Sequence, residues 1–149
     1  MSETTTTAEA AAPALVRRFY QLLAAGDLDT VEREVLDPQI EWIIPGHNPL
    51  AGTKRGVEEV IAWLHLLGDV QYAMQLDYLG GDDEHAVEIH SGHGTYGSWE
   101  FDCSNSAYYT VRAGRLVAVQ NHSGDQFALD MLYNAAFRYR PLPGRLASD

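Results

Sequence analysis

The sequence predicts one α+β domain, in which helices come first and a run of antiparallel strands follows them. Three observations predict it. Apolar residues recur at helical spacing through residues 15–23 and 57–67. From about residue 70 the texture changes to four strand-like segments, 70–79, 85–96, 99–112 and 115–123. Short connections rich in Gly, Asp and Ser join those segments, as antiparallel hairpins require. A chain of 149 residues suits a single domain, and folding at that size buries roughly 68–70 % of the unfolded surface.

The elements follow in chain order. Leu15, Phe19, Leu22 and Leu23 fall at i, i+4, i+7 and i+8, one face of a first helix. Gly26 stands where a helix end needs positive φ. Asp29 and Glu32 form a capping-box-like start to a short second helix carrying Val31, Val35 and Leu36, and Pro38 stops it. Residues 39–44 read as a strand with Ile40, Trp42 and Ile44 on one face. A turn-rich loop follows at Pro45–Pro49. Val57, Val60, Ile61, Leu64 and Leu67 mark the third helix. After the four strands, residues 126–139 predict a closing helix around Phe127, Leu129, Met131 and Leu132. The expected organisation is a disordered tail over residues 1–12, one domain over 13–140 and a loose tail over 141–149. Helices packed on the concave face of a curved sheet enclose a hollow, so a ligand pocket is expected there.

Composition narrows the function. The formal net charge of -11 at pH 7 repels phosphate backbones and anionic lipid, so neither nucleic acid nor membrane is an expected partner. Hydrophobic residues make up 46 %, enough for a globular core. The single cysteine excludes an internal disulfide, and residues 1–12 lack the basic start and apolar core of a signal peptide. A cytoplasmic location is the expectation. No Cys cluster or zinc spacing is present, and Gly92–Gly97 lacks the lysine and setting of a phosphate loop. No metal or cofactor is implied.

Five segments carry a family resemblance: Leu15–Asp29 (LVRRFYQLLAAGDLD), Ile40–Gly46 (IEWIIPG), Leu50–Gly56 (LAGTKRG), Ala113–Val117 (AGRLV) and Gly124–Asp130 (GDQFALD). In order and spacing the chain resembles the nuclear transport factor 2-like superfamily over roughly residues 14–133. Within it, the chain is similar to the SnoaL-like polyketide cyclases. The resemblance implies a cone-shaped, curved antiparallel sheet, three N-terminal helices on its concave face, a deep apolar cavity and a homodimer. It also implies a small hydrophobic substrate.

The motifs of characterised relatives transfer unevenly. The general base of ketosteroid isomerases falls on Ile43 or Ile44. Their oxyanion Tyr falls on Phe19, one residue before Tyr20, and their Asp near Asn105 or Ser106. At the epoxide-hydrolase positions this chain has Trp42 and Ile44, then Glu88-x-His90, then Asn121. The catalytic Asp of SnoaL-like cyclases is matched best by Asp125.

The candidate catalytic residues are therefore Glu88, His90, Asn121 and Asp125. Glu88 and His90 lie two apart and share a strand face. Turned inward they form an acid–base pair, whereas Val87 and Ile89 turned inward would leave them in water. Strand periodicity favours the second reading, the resemblance the first. Asn121 suits hydrogen bonding to a carbonyl or enolate oxygen, or a polar position at the end of the sheet. Asp125 suits acid–base work or capping of the closing helix. Tyr20, Trp42, Ile44, His47, Trp63, Leu67, Trp99 and Val119 are the expected pocket wall. His90 and His93 have odd spacing and face opposite ways. The expected activity is cofactor-independent ring closure or isomerisation of a small natural product, with a polyketide the favoured substrate. A ligand-binding protein and an epoxide hydrolase or dehydratase are the alternatives.

Overall fold

A computed structural model describes residues 8–68 and 70–137. Helix α1, Ala11–Ala24, opens the fold. It begins two residues before the domain start expected at 13, and Ala12 is already buried. Met1–Thr7 and 141–149, expected as tails, lie outside the described residues in both cases. Ala12, Val16 and Phe19 form the deepest stripe of α1, with Leu15, Leu22 and Leu23 packed beside it. Gly26 has φ +71°, as the end of this helix requires.

The next turn is capped one step earlier than expected. Asp27, not Asp29, accepts the Thr30 N–H at 3.0 Å. Helix α2, Leu28–Thr30, runs into a π-helical turn, Val31–Val35. Strand β1 then covers Leu36–Ile44. Pro38 therefore does not end a helix. It lies within β1, where the pairing with β6 (Arg115–Ser123) shifts register between Leu36 and Glu41, so its missing N–H breaks no regular ladder. A short strand not expected from the sequence, β2 (Gly52–Arg55), pairs antiparallel with β1 and leads into α3, Gly56–Leu67. Three long strands match expectation closely: β3, Gln71–Gly81; β4, His85–Tyr96; β5, Trp99–Arg112. Helix α4, Gln126–Phe137, follows β6.

The six strands form one curved sheet in the order β2-β1-β6-β5-β4-β3. It is mixed, not wholly antiparallel, because β1 pairs parallel with β6. That pairing brings the first strand beside the last, while α1 packs on β3, β4 and β5 and α3 packs on β1 and β2. Register aligns inward-facing residues in rows across the sheet. Ala86, Tyr109, Val119, Trp42 and Lys54 make one row, all buried. Leu79, Glu88, Ala107 and Asn121 make the next, and Leu76, His90, Asn105 and Ser123 the one after. Beyond them come Met74, Gly92 and Cys103, then Tyr72, Gly94 and Phe101. Glu88, Asn121, His90, Asn105 and Ser123 thus fall in two adjacent rows. No helix among the described residues is long and apolar enough to cross a membrane.

Candidate active site

Glu88 and His90 face inward. Glu88 is 0 % exposed and His90 9 %, whereas Val87 and Ile89 are each 41 % exposed. The reading favoured by strand periodicity is therefore reversed, and Val87 and Ile89 lie on the outer face.

The two groups form a tight pair. The Nδ1 of His90 lies 3.0 and 2.9 Å from the two carboxylate oxygens of Glu88. Tyr20, from α1, donates its hydroxyl to Glu88 Oε1 at 3.0 Å, and Tyr109 Oη lies 3.0 Å from Tyr20 Oη. Burial, then the neighbouring Tyr109 and the charge of Glu88, push Tyr20 well above the ordinary phenol range, so it stays protonated and donates. Burial followed by the Glu88 charge raises Tyr109 likewise. A carboxylate so removed from water needs such donors. With Nδ1–H donating to Glu88, Nε2 carries a lone pair. Asn105 Nδ2 lies 3.4 Å from that nitrogen.

Asn121 is oriented by its neighbour on β1. Trp42 donates its indole N–H to Asn121 Oδ1 at 2.7 Å, which turns the amide NH₂ the other way, as a free donor. Trp42 also packs on Trp63 at 5.1 Å between ring centroids. Tyr20 and Trp42 thus join the site, and Ile44, Trp63 and Val119 are buried around it. Leu67 is half-buried on the edge of the same core. At the wider end Tyr72 and Phe101 stack at 6.0 Å and 6°. Glycine makes this possible, because a Cβ at Gly92 would come within 2.5 Å of the Tyr72 ring and one at Gly94 within 2.1 Å of Phe101. Asn105, Asn121, Ser123, Cys103, Phe101 and Tyr72 keep partial exposure on this inward face. Three buried polar atoms among the described residues have no partner, Trp63 Nε1, Asn105 Oδ1 and Ser123 Oγ. Two of the three residues are paired neighbours on the floor of the site.

Other expected site residues lie apart. Asp125 is exposed, and its carboxylate accepts the Ala128 N–H at 3.0 Å, so it caps α4. Trp99 is 49 % exposed beside the tight β4–β5 turn and lines no wall. His47 is exposed, but its backbone belongs to a latch. Asp130 of α4 accepts the His47 N–H at 3.0 Å and the Asn48 and Gln126 side-chain amides at 2.6 and 2.9 Å. His93 turns outward to Asp102 at 2.9 Å, opposite His90 as expected. A surface groove of about 570 Å³ lies between the start of α1 and the turns at Asp83–Glu84 and Ala113–Gly114, and no candidate residue lines it. No cluster of metal-ligating side chains occurs among the described residues.

Asn105, Tyr109, Tyr72 and Lys54 escaped the candidate list. Their signal lies in strand register, which a single sequence does not display.

Residues 16–119 match the model of the SnoaL-like domain. The chain belongs to the SnoaL-like family. It is 27 % identical over 126 residues to an uncharacterised protein of Mycobacterium tuberculosis, covering 80 % of this chain and 93 % of that one. Among solved structures it is similar to Bal32a, from a soil-derived mobile gene cassette. That match has TM-score 0.74 and 24 % identity over 80 % of this chain and 94 % of the other. A candidate SnoaL-like polyketide cyclase from Jannaschia sp. superposes with TM-score 0.69 and 15 % identity, covering 94 % of this chain and all of the other. An NTF2-like protein of Burkholderia xenovorans superposes with TM-score 0.71 and 25 % identity over 81 % of this chain and 94 % of the other, which shows the nuclear transport factor 2-like fold expected from the sequence.

Proposed function

We propose that this SnoaL-like protein is a cofactor-independent enzyme that closes a ring in, or isomerises, a small neutral carbonyl compound by proton transfer. One observation carries the reading: a fully buried carboxylate, Glu88, bonded through both oxygens to the Nδ1 of His90, which leaves Nε2 on the side of Asn105. A buried carboxylate that orients an imidazole is the arrangement a general base needs.

In this reaction His90 Nε2 removes a proton from the carbon next to a carbonyl. The resulting enolate oxygen is met by the Asn121 NH₂, which Trp42 holds in place. The enolate carbon attacks a second carbonyl of the same molecule, and one carbon–carbon bond forms. The new alkoxide then takes the proton back from the His90 imidazolium, so no cofactor or co-reactant is consumed. Asn105 can serve both states, because rotation of its amide presents Oδ1, which has no partner, to a protonated Nε2. Trp42, Trp63, Tyr72 and Phe101 would hold the chain folded for attack.

Substrate neutrality is part of the proposal. Lys54 is the one Lys or Arg in the aligned inward rows of the described sheet, and it is fully buried with its Nζ on the Ala51 carbonyl at 3.0 Å. Among the described residues, a carboxylate or phosphate would find no cation bonded to Glu88. A polyketide satisfies these demands. Among the described residues, the Asp–Arg–Asp set of epoxide hydrolysis has no counterpart around His90, so that alternative has less support.

The outer sheet face supports a homodimer as the working form. Tyr78, Ile89, Val87 and Tyr108 are exposed there in adjacent register, an apolar patch that association would cover.

The test uses deuterium exchange at enolisable carbons of neutral β-diketones and β-ketoesters in D₂O, followed by NMR. The native protein accelerates exchange of at least one compound. His90→Gln and Glu88→Gln each lose about 10²–10⁴ of the acceleration. Binding without exchange across the panel would favour the ligand-binding alternative and sink the enzyme.

A further inference from the structure

We infer that Tyr20 is a positioning residue that sets the proton affinity of the Glu88–His90 pair, with Tyr109 acting behind it. The inference rests on the proposed role of that pair as acid and base. It differs from the expectation drawn from the resemblance, in which a tyrosine of the first helix meets the substrate oxygen. Here the Tyr20 proton is committed to Glu88 Oε1 at 3.0 Å. Its oxygen then accepts from Tyr109 at 3.0 Å. The chain runs one way, Tyr109 to Tyr20 to Glu88, and it ends on the carboxylate opposite His90.

Among the described residues, the other groups that face the pair are neutral. From α1 comes Tyr20, from β5 Tyr109, Asn105 and Cys103, and from β3 Tyr72, whose ring lies 6.4 Å from that of His90. Tyr72 Oη lies 2.7 Å from Cys103 Sγ, so that hydroxyl has its own partner. Tyr133, on α4, acts on Tyr72 and is itself influenced by Cys103. Among the described residues, no Lys or Arg bonds to Glu88. The carboxylate therefore depends on two donors, the Tyr20 hydroxyl and His90 Nδ1–H.

Removing the hydroxyl changes the compensation of Glu88 in a predictable direction and leaves Tyr109 without its Tyr20 acceptor. Tyr20's hydrogen bond offsets part of the negative charge on Glu88. Without it the pair holds its next proton more tightly. This is so whether the proton sits on the carboxylate or on the imidazole, since a less compensated carboxylate attracts an imidazolium more strongly. The pair then gives up its proton at higher pH, and the basic form of His90 appears later.

The experiment is an NMR titration of the histidine rings in the full chain, which has six histidines. The His90 signal is assigned by its loss in His90→Gln. In Tyr20→Phe the His90 midpoint moves up by at least about 0.5 pH unit, roughly threefold in proton affinity. In Tyr109→Phe it moves the same way by less. Site-specific replacement of Tyr20 by 3-fluorotyrosine, a stronger donor, moves it down. That opposite sign is one a purely structural role would not give, and it keeps the test open if Tyr20→Phe does not fold. An unmoved midpoint in folded Tyr20→Phe, or an upward shift with fluorotyrosine, overturns the inference. No turnover is needed, so the two readings fail separately. A shifted midpoint without proton-transfer activity ends the enzyme and keeps the linkage. Activity dependent on His90 with an unmoved midpoint does the reverse.

Discussion

Lys54 shows how a single buried group shapes the protein. Its Cα is paired with that of Trp42, its side chain is fully buried, and its Nζ bonds the Ala51 carbonyl. Burial pulls its proton affinity down to about 8, with the nearby Glu59 charge opposing. The unfolded chain, with an ordinary lysine near 10.5, binds more protons between these values. Stability is therefore highest above about 10.5 as far as this group is concerned, and it falls as pH drops through about 8. Lys54→Met removes the cost, and we expect a rise in stability of about 1–3 kcal/mol at pH 7. Urea unfolding at pH 7 and pH 9.5 checks it. The gain should shrink at the higher pH, and a destabilised variant would show that the ammonium has a favourable role. Glu88 is the contrasting case, since its donors converge on it and its burial serves the imidazole beside it.

At the scale of elements, α4 is tied down at its start and along one side. Asp125 caps its first turn, and Asp130 gathers the His47 backbone and the Asn48 and Gln126 amides. Burial pushes the Asp130 carboxyl up, but these donors outweigh it and hold the group below its ordinary range. The latch is accordingly present near neutrality and is lost on acidification. Asp125 caps without touching the pair, so Asp125→Ala should cost about 1 kcal/mol and leave proton-transfer activity unchanged. Thermal unfolding beside the exchange assay checks this, and activity lost without lost stability would restore Asp125 to the chemistry. Strand β4 divides its roles by face, with Ala86, Glu88 and His90 inward and Val87 and Ile89 outward.

For the whole molecule, the outer face decides assembly. Ile89→Lys puts charge at the centre of the patch formed with Tyr78, Val87 and Tyr108. Light scattering behind a sizing column should give the native chain about twice its 16.5 kDa mass and the variant the monomer mass. A native protein of monomer mass would end the dimer proposal.

The order of elements was legible before any coordinates. Helical spacing, strand alternation and glycine-rich turns are local signals, and they placed β4, β5 and β6 at their observed bounds. The family resemblance, not periodicity, marked Glu88, His90 and Asn121 as candidates. Strand β2 and the parallel pairing of β1 with β6 were not legible, because four residues carry little periodicity and parallel partners lie far apart in sequence. Nor was the inward face of β4. Alternation separates two faces of a strand, but it names the buried one only when the other is polar. Here the outer face carries Val87 and Ile89, so apolar character pointed the wrong way. Only packing α1 against β4 and β5 brings Tyr20 to Glu88. That contact spans 68 residues of chain, and no local rule of sequence reaches so far.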